Sequence, residues 1–179
     1  MVKIGNVEIS GSLTLAPMAG VTDFAFRAIC TELGAALTTT EMVSAKALCY
    51  GDNKTKSLLY NLPGCRPFAA QIFGHEPEIM AQAAPMAIEY SGADMLDINM
   101  GCPVNKVVKG QDGCALMRNP QLAAELVKAV KSGTDKPVSV KFRLGYTADE
   151  MNFVEFGVKM QEAGADFITI HGRTRSQMY

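Results

Sequence analysis

The sequence predicts an α/β fold: an incomplete (β/α)8 TIM barrel, with about six of eight β/α units present. Three observations predict it. Short β-rich runs alternate with helix-forming stretches along all 179 residues, the pattern of a parallel sheet covered by helices. Two helix ends carry the same junction, Ser91-Gly92-Ala93-Asp94 and Ala163-Gly164-Ala165-Asp166, in which glycine stops a helix just before a strand. In the later strands the aliphatic residues share one parity, and the polar residues gather on the other toward the strand C-termini. A barrel with a polar mouth requires that arrangement.

The strands are expected at 13–16, 36–40, 68–72, 95–99, 138–142 and 167–170. Helices are expected between most of them. One spans 23–33, started by the capping signal at Thr22 and Asp23 and stopped at Gly34. Those at 77–90 and 120–131 each begin with proline in the first turn and end before a glycine. Another spans 148–163, stopped at Gly164, and the segment 44–59 is helical but broken around Gly51-Asp52-Asn53. In the fourth strand Leu96 and Ile98 share one face, and Asp97 and Asn99 the other. In the fifth, Val138, Val140 and Phe142 oppose Ser139, Lys141 and Arg143. In the sixth, Ile168 and Ile170 oppose Thr169 and His171. Gln71 belongs to the less apolar parity of the third.

A doubly wound sheet also fits alternating strands and helices, but no Gly-x-Gly-x-x-Gly follows the first strand, which weakens a dinucleotide fold. A full barrel takes about 250 residues. The chain is therefore expected to be a fragment, residues 1–179 forming the N-terminal portion of the domain, with unpaired edges on its first and sixth strands.

Hydrophobic residues make up 48 % and charged residues 20 %, which is ordinary for a globular domain. No apolar run approaches the ~18 residues of a membrane helix, and the N-terminus has no signal-peptide core. A cytoplasmic location is expected. The cysteines (Cys30, Cys49, Cys65, Cys102 and Cys114) form no Cys-x-x-Cys pair, so neither a disulfide framework nor a metal site is expected. The net charge of −1 argues against binding nucleic acid through a broad basic surface. Any RNA contact needs a local patch, or a part of the protein outside this chain.

The strongest chemical signal is Asp97-Ile98-Asn99-Met100-Gly101-Cys102-Pro103. A strand ends in inward polar residues, and a glycine-containing turn then presents a thiol, with Pro103 keeping Cys102 out of helical geometry. The bland alternative is a buried cysteine in a tight loop. A nucleophilic cysteine needs a base or cation beside it. An ordinary thiol, with pKa about 8.5, is mostly protonated at neutral pH and can serve as an acid. The residues alone leave both roles open.

Lys141 and His171 should point inward from strand ends. An inward lysine is costly unless paired. Its partner is either Asp97 or an anionic cofactor, reduced flavin being one candidate. His171 is either a site residue or a satisfied core histidine. Ala16-Pro17-Met18 offers small residues and a proline where a flat ring could approach the backbone, or is a plain strand exit. Gln71 either meets such a ring's polar edge or is a core amide. The basic residues after strand ends are Lys106, Lys109, Arg118, Arg143, Arg173 and Arg175. They suit phosphate or RNA, or are solvated loop charges. Arg143 and Arg173 are the better candidates. His75 is expected to be a loop residue entering a helix.

Five segments occur in an order that resembles a known family: Ala16-Pro17-Met18-Ala19-Gly20-Val21-Thr22-Asp23, Gln71-Ile72-Phe73-Gly74, Asp97-Ile98-Asn99-Met100-Gly101-Cys102-Pro103, Lys141-Phe142-Arg143-Leu144-Gly145 and His171-Gly172-Arg173-Thr174-Arg175. Together they resemble the tRNA-dihydrouridine synthases, most closely the bacterial B type, over nearly the whole chain. The resemblance implies a flavin-binding barrel followed by a helical tRNA-binding domain. It implies FMN contacts from Ala16, Pro17, Met18, Gln71, Lys141 and His171. It further implies that Cys102 protonates C5 of a flipped-out uridine while hydride from FMN reaches C6, with NADPH as reductant. Asn99 and Arg143 would lie near the substrate base or the flavin, and Arg173 near the substrate. The implied protein is monomeric at full length, takes tRNA as substrate and needs no metal or membrane. The family's FMN phosphate loops and helical domain fall beyond the residues of this chain. Two rival readings remain: a flavin barrel acting on a free pyrimidine, of the dihydroorotate dehydrogenase kind, and an inactive remnant.

Overall fold

The computed structural model describes residues 2–177. The chain opens with an antiparallel hairpin, β1 (Val2–Ile4) and β2 (Val7–Ile9). Then come β3 (Thr14–Leu15), α1 (Phe24–Glu32), β4 (Leu37–Thr39), β5 (Val43–Ser44), α2 (Ala45–Cys49) and α3 (Asn53–Leu58). The rest is β6 (Phe68–Phe73), α4 (Pro77–Ser91), β7 (Met95–Met100), α5 (Asn105–Lys109), α6 (Pro120–Ser132), β8 (Val138–Arg143), α7 (Phe153–Glu162) and β9 (Phe167–His171). Strands β3, β4, β6, β7, β8 and β9 lie side by side in that order, all parallel, with helices between them. This is the expected incomplete barrel.

The two faces of the sheet divide as the parity predicts. Ile72, Leu96, Ile98, Val140 and Phe142 face the helices, where they join buried residues such as Met80, Leu126, Val127, Phe156 and Met160 in the main core. The inner face climbs in rows fixed by register. Ala69 lies beside Met95 at the bottom. Gln71, Asp97, Ser139 and Phe167 form the next row. Asn99, Lys141 and Thr169 follow, and Arg143 beside His171 forms the rim.

The repeated Gly-Ala-Asp junction is a joint between a helix and the sheet. Gly92 takes φ +67 to end α4. Asp94 then accepts from the backbone N–H of Phe68 at 2.9 Å, and Asp166 from that of Val138 at 2.8 Å. Each carboxylate thus satisfies the first donor of the neighbouring strand, which its own strand-entry geometry brings alongside.

Two expectations change, and two elements appear where the sequence predicted none. The hairpin at the N-terminus is too short to show periodicity; its Ile4 and Ile9 plug the bottom of the barrel against Ala69 and Met95. The second barrel strand breaks after Thr39 and resumes as β5 at Val43–Ser44, so Ser44, expected to open a helical segment, is strand. Ser44 only caps α2, accepting from the Ala47 N–H. The helix expected over 148–163 is a 3₁₀ turn at Ala148–Glu150 followed by α7, because Met151 bridges Gly145 and the Asn152 N–H donates to the Leu144 carbonyl. The loop after β7 contains α5 and a 3₁₀ turn at Gly113–Arg118.

Candidate active site

The C-terminal ends of the strands open into a cleft of about 750 Å³. Its lining brings together Pro17, Met18, Gln71, Asn99, Cys102, Lys141, Arg143 and His171. Ala16 lies deeper, lining a cavity of about 20 Å³ inside the half-barrel together with Asp97, Ser139 and Lys141. Arg173 is exposed and lies outside the cleft lining. Arg175 takes the place expected for it. Thr174 between them is fully buried, so the two arginines leave a pinned turn in different directions. Adjacent arginines two residues apart give the sequence no means of choosing.

The first loop is held rigidly. The Thr22 hydroxyl donates to the Met18 carbonyl and accepts from its N–H. The Glu41 carboxylate, turned inward where the second strand breaks, accepts from the Gly20 N–H. Arg27 is completely buried and donates to the Thr22 carbonyl at 2.7 Å. Glu41 carries no motif signal because its role depends on that strand break, and Arg27 carries none because its other partners, the Tyr60 carbonyl and Asn61, lie far along the chain.

A chain of side-chain hydrogen bonds crosses the floor. The buried Asp97 carboxylate accepts from Ser139 Oγ at 2.5 Å and from Gln71 Nε2 at 2.6 Å. Asn99 Nδ2 donates to Gln71 Oε1 at 3.0 Å. Asn99 Oδ1 accepts from the N–H groups of Gly101 and Cys102, at 3.2 and 3.0 Å. Asn99, expected near substrate, spends its oxygen on the cysteine loop and keeps one amide hydrogen free. Arg143, also expected near substrate, donates to the Gly101 carbonyl at 2.7 Å and to the Thr174 carbonyl at 3.0 Å. It braces the loops after β7 and β9 while lining the cleft.

Cys102 is 8 % exposed and lines the cleft. Its neighbour Cys114 is fully buried, and burial pushes that thiol up to about 11, leaving it unreactive at neutral pH. The Cys114 N–H donates to the Cys102 carbonyl at 3.0 Å. Across the same loop His75 and Asp112 share a 2.9 Å hydrogen bond. Arg118 pairs with Glu150 at 2.7 Å and lies on the ring of Tyr146, outside the cleft. Lys106 and Lys109 are exposed on α5.

The charge balance of the cleft is one-sided. Among the described residues its lining contains Lys141, Arg143 and Arg175 but no carboxylate. The ion pair between Lys141 and Asp97 is not formed; Asp97 is held by Gln71 and Ser139 instead. Burial lowers the Lys141 pKa, and Asp97 opposes that only from a distance. His171 is exposed at the rim rather than in a core, and its pKa is lowered by partial burial and then by Arg143, Lys141 and Arg173. Burial raises the Asp97 pKa against the bonds from Gln71 and Ser139.

Among the described residues no helix is long and apolar enough to cross a membrane, and no group of three or more His, Cys, Asp or Glu could hold a metal ion. Comparison with known proteins agrees with the motif order. The family model "Dihydrouridine synthase (Dus)" matches residues 14–179. The chain is 39 % identical over 177 residues to tRNA-dihydrouridine synthase B of Vibrio parahaemolyticus, an overlap of 99 % of this chain and 55 % of that protein. It is 40 % identical over 177 residues to the enzyme of that name from Proteus vulgaris, covering 99 % and 54 %. It is also 40 % identical over 178 residues to probable tRNA-dihydrouridine synthase 1 of Synechocystis, covering 99 % and 50 %. The chain thus spans about half the length of the curated relatives it matches. A family match over all but the N-terminal hairpin and its link to β3, together with a parallel barrel that brings the matched motifs to one mouth, establishes that this chain belongs to the dihydrouridine synthase family.

Proposed function

We propose that the protein reduces uridines in tRNA to 5,6-dihydrouridine, with Cys102 as proton donor, FMN as cofactor and NADPH as reductant. The observation that carries this is the meeting of one thiol, two oriented amides and three cations in a cleft whose described lining holds no carboxylate. Such a site suits an electron-rich, anionic ring system and a pyrimidine beside it. The names borne by the relatives supply the tRNA substrate.

The residues fit FMN. The Lys141 side chain is half-buried, and its ammonium makes no hydrogen bond or ion pair among the described residues, which leaves a partly desolvated cation in need of an anion. Pro17 and Met18 offer an apolar wall, and Gln71 a polar edge. The cleft volume is within the usual range of about 300–1,000 Å³ for cofactor sites. The chemistry that FMN supplies, recharged by NADPH, is a hydride for C6 of the base. Lys141 and His171 would hold the ring by charge and hydrogen bonding. Cys102 gives its proton to C5 of the flipped-out base, and the resulting thiolate regains a proton from water. Hydride and proton together account for the two hydrogens added. Arg143 and Arg175 suit the flanking phosphates.

The test is Cys102→Ala in the full-length enzyme. Flavin reduction by NADPH should persist, while dihydrouridine formed in tRNA falls at least about 100-fold. Undiminished turnover would remove Cys102 as the acid. Wild-type enzyme that binds FMN yet leaves tRNA unreduced would remove the substrate assignment.

A further inference from the structure

We infer that Asp97 is a positioning residue: by accepting from Gln71 it sets the direction of a hydrogen-bond relay that ends on the backbone N–H groups of Gly101 and Cys102. The inference builds on Cys102 as the reactive thiol; Asp97 does not itself line the cleft and reaches it through Gln71, which does.

Each link has a forced direction. The Asp97 oxygens accept from both neighbours, Ser139 on one side and Gln71 on the other. That turns the Gln71 amide so that Nε2 faces Asp97 and Oε1 faces Asn99. Asn99 must then offer Nδ2 to Gln71 at 3.0 Å. Its Oδ1 is left pointing at the loop, where it accepts from two consecutive N–H groups. A primary amide has nearly the same shape in either orientation, but opposite polarity at its two ends. Without an acceptor at position 97, both amides lose their preferred sense. A reversed Asn99 would set its NH₂ against the N–H groups of Gly101 and Cys102, donor against donor. The relay thus selects the amide state that closes the cysteine loop. Ser139 anchors the far end, its hydroxyl also reaching the Leu96 carbonyl at 3.2 Å.

The function is separable from charge. In Asp97→Asn the amide oxygen can still accept from Gln71, and the new NH₂ can donate to Ser139 Oγ. In Asp97→Leu the acceptor is gone while the branching at Cγ is kept. The measurement is the rate at which iodoacetamide alkylates Cys102 in the purified full-length protein, followed peptide by peptide by mass spectrometry. It needs neither flavin nor tRNA, so it stands whether or not uridine is the substrate. Loss of an ordinary hydrogen bond sets the scale of the effect. Asp97→Leu should raise Cys102 alkylation roughly fivefold to tenfold, with the Cys114 peptide unchanged and Asp97→Asn near the wild type. An unchanged rate in Asp97→Leu overturns the inference, and so does an Asp97→Asn variant that behaves like Asp97→Leu. If Asp97→Leu does not fold, so that every cysteine reacts at its denatured rate, Gln71→Met decides by cutting the relay one link later: the same rise supports the inference and no rise overturns it.

Discussion

Lys141 shows how a single residue can be unfavourable for the fold and still belong to the site. Its ammonium is drawn out of water by its place on the inner face, and burial lowers its pKa. The lowered pKa means that the folded protein disfavours the charged form, a penalty felt at neutral pH and relieved only as pH rises through the folded value. Lys141→Met should therefore raise the Tm of the flavin-free protein by about 2–4 °C and weaken FMN binding. Calorimetry and flavin titration check the two halves. A lower Tm would show that Lys141 has a structural partner, and unchanged FMN affinity would remove its cofactor role. Strand parity made this residue legible from sequence, because side-chain direction alternates without regard to tertiary detail. Parity could not show that Asp97 is already engaged by Gln71 and Ser139. That depends on the register between three strands, which no single strand's sequence contains.

At the scale of the element, the loop that carries Cys102 is fixed by a close approach. Gly113 has φ +58, and a Cβ there would stand 2.8 Å from the Cys102 carbonyl oxygen and 3.0 Å from its Cβ. Gly92 has a similar φ of +67 but open space around it. The two positions separate backbone preference from crowding. Gly92→Ala should cost about 1 kcal/mol, the left-handed penalty alone. Gly113→Ala should cost about 2–3 kcal/mol and disturb the cysteine loop. Denaturant unfolding of both variants gives the difference, and equal costs would mean that the loop yields without strain. Gly92 was legible, because a helix with proline at its start and glycine past its end follows local rules. Gly113 was not, because its constraint comes from a backbone eleven residues earlier in the chain. The helix expected over 148–163 is shortened by a more local constraint: the bridge between Gly145 and Met151 folds the loop between β8 and α7 back on itself before the helix can start.

On the scale of the whole molecule, the distribution of apolar surface is uneven. Between the central strands the helices bury their apolar faces; every buried residue of α6, from Ala123 to Val130, lies in the main core. At the two ends of the sheet the helices also leave apolar side chains exposed, although α7 buries Phe156 and Met160 in the core. On α1, Phe26, Ile29 and Leu33 follow helical spacing on one face and are 40 %, 54 % and 83 % exposed. On α7, Val154 and Val158 are 58 % and 51 % exposed, and Ile170 on the edge strand β9 is 45 % exposed. An edge strand with unpaired backbone beside an apolar helix face is a template for association. The polypeptide of residues 1–179, prepared by itself, should therefore self-associate in the micromolar to millimolar range where such surfaces stick. Ile29→Glu together with Val158→Lys should shift it toward the monomer, because a charge in each stripe must be desolvated for the faces to meet. Light scattering across a concentration series measures this. A mass independent of concentration up to about 100 µM in the unsubstituted polypeptide would mean that these faces are less adhesive than their exposure implies, and that the edges of the half-barrel are protected by their twist.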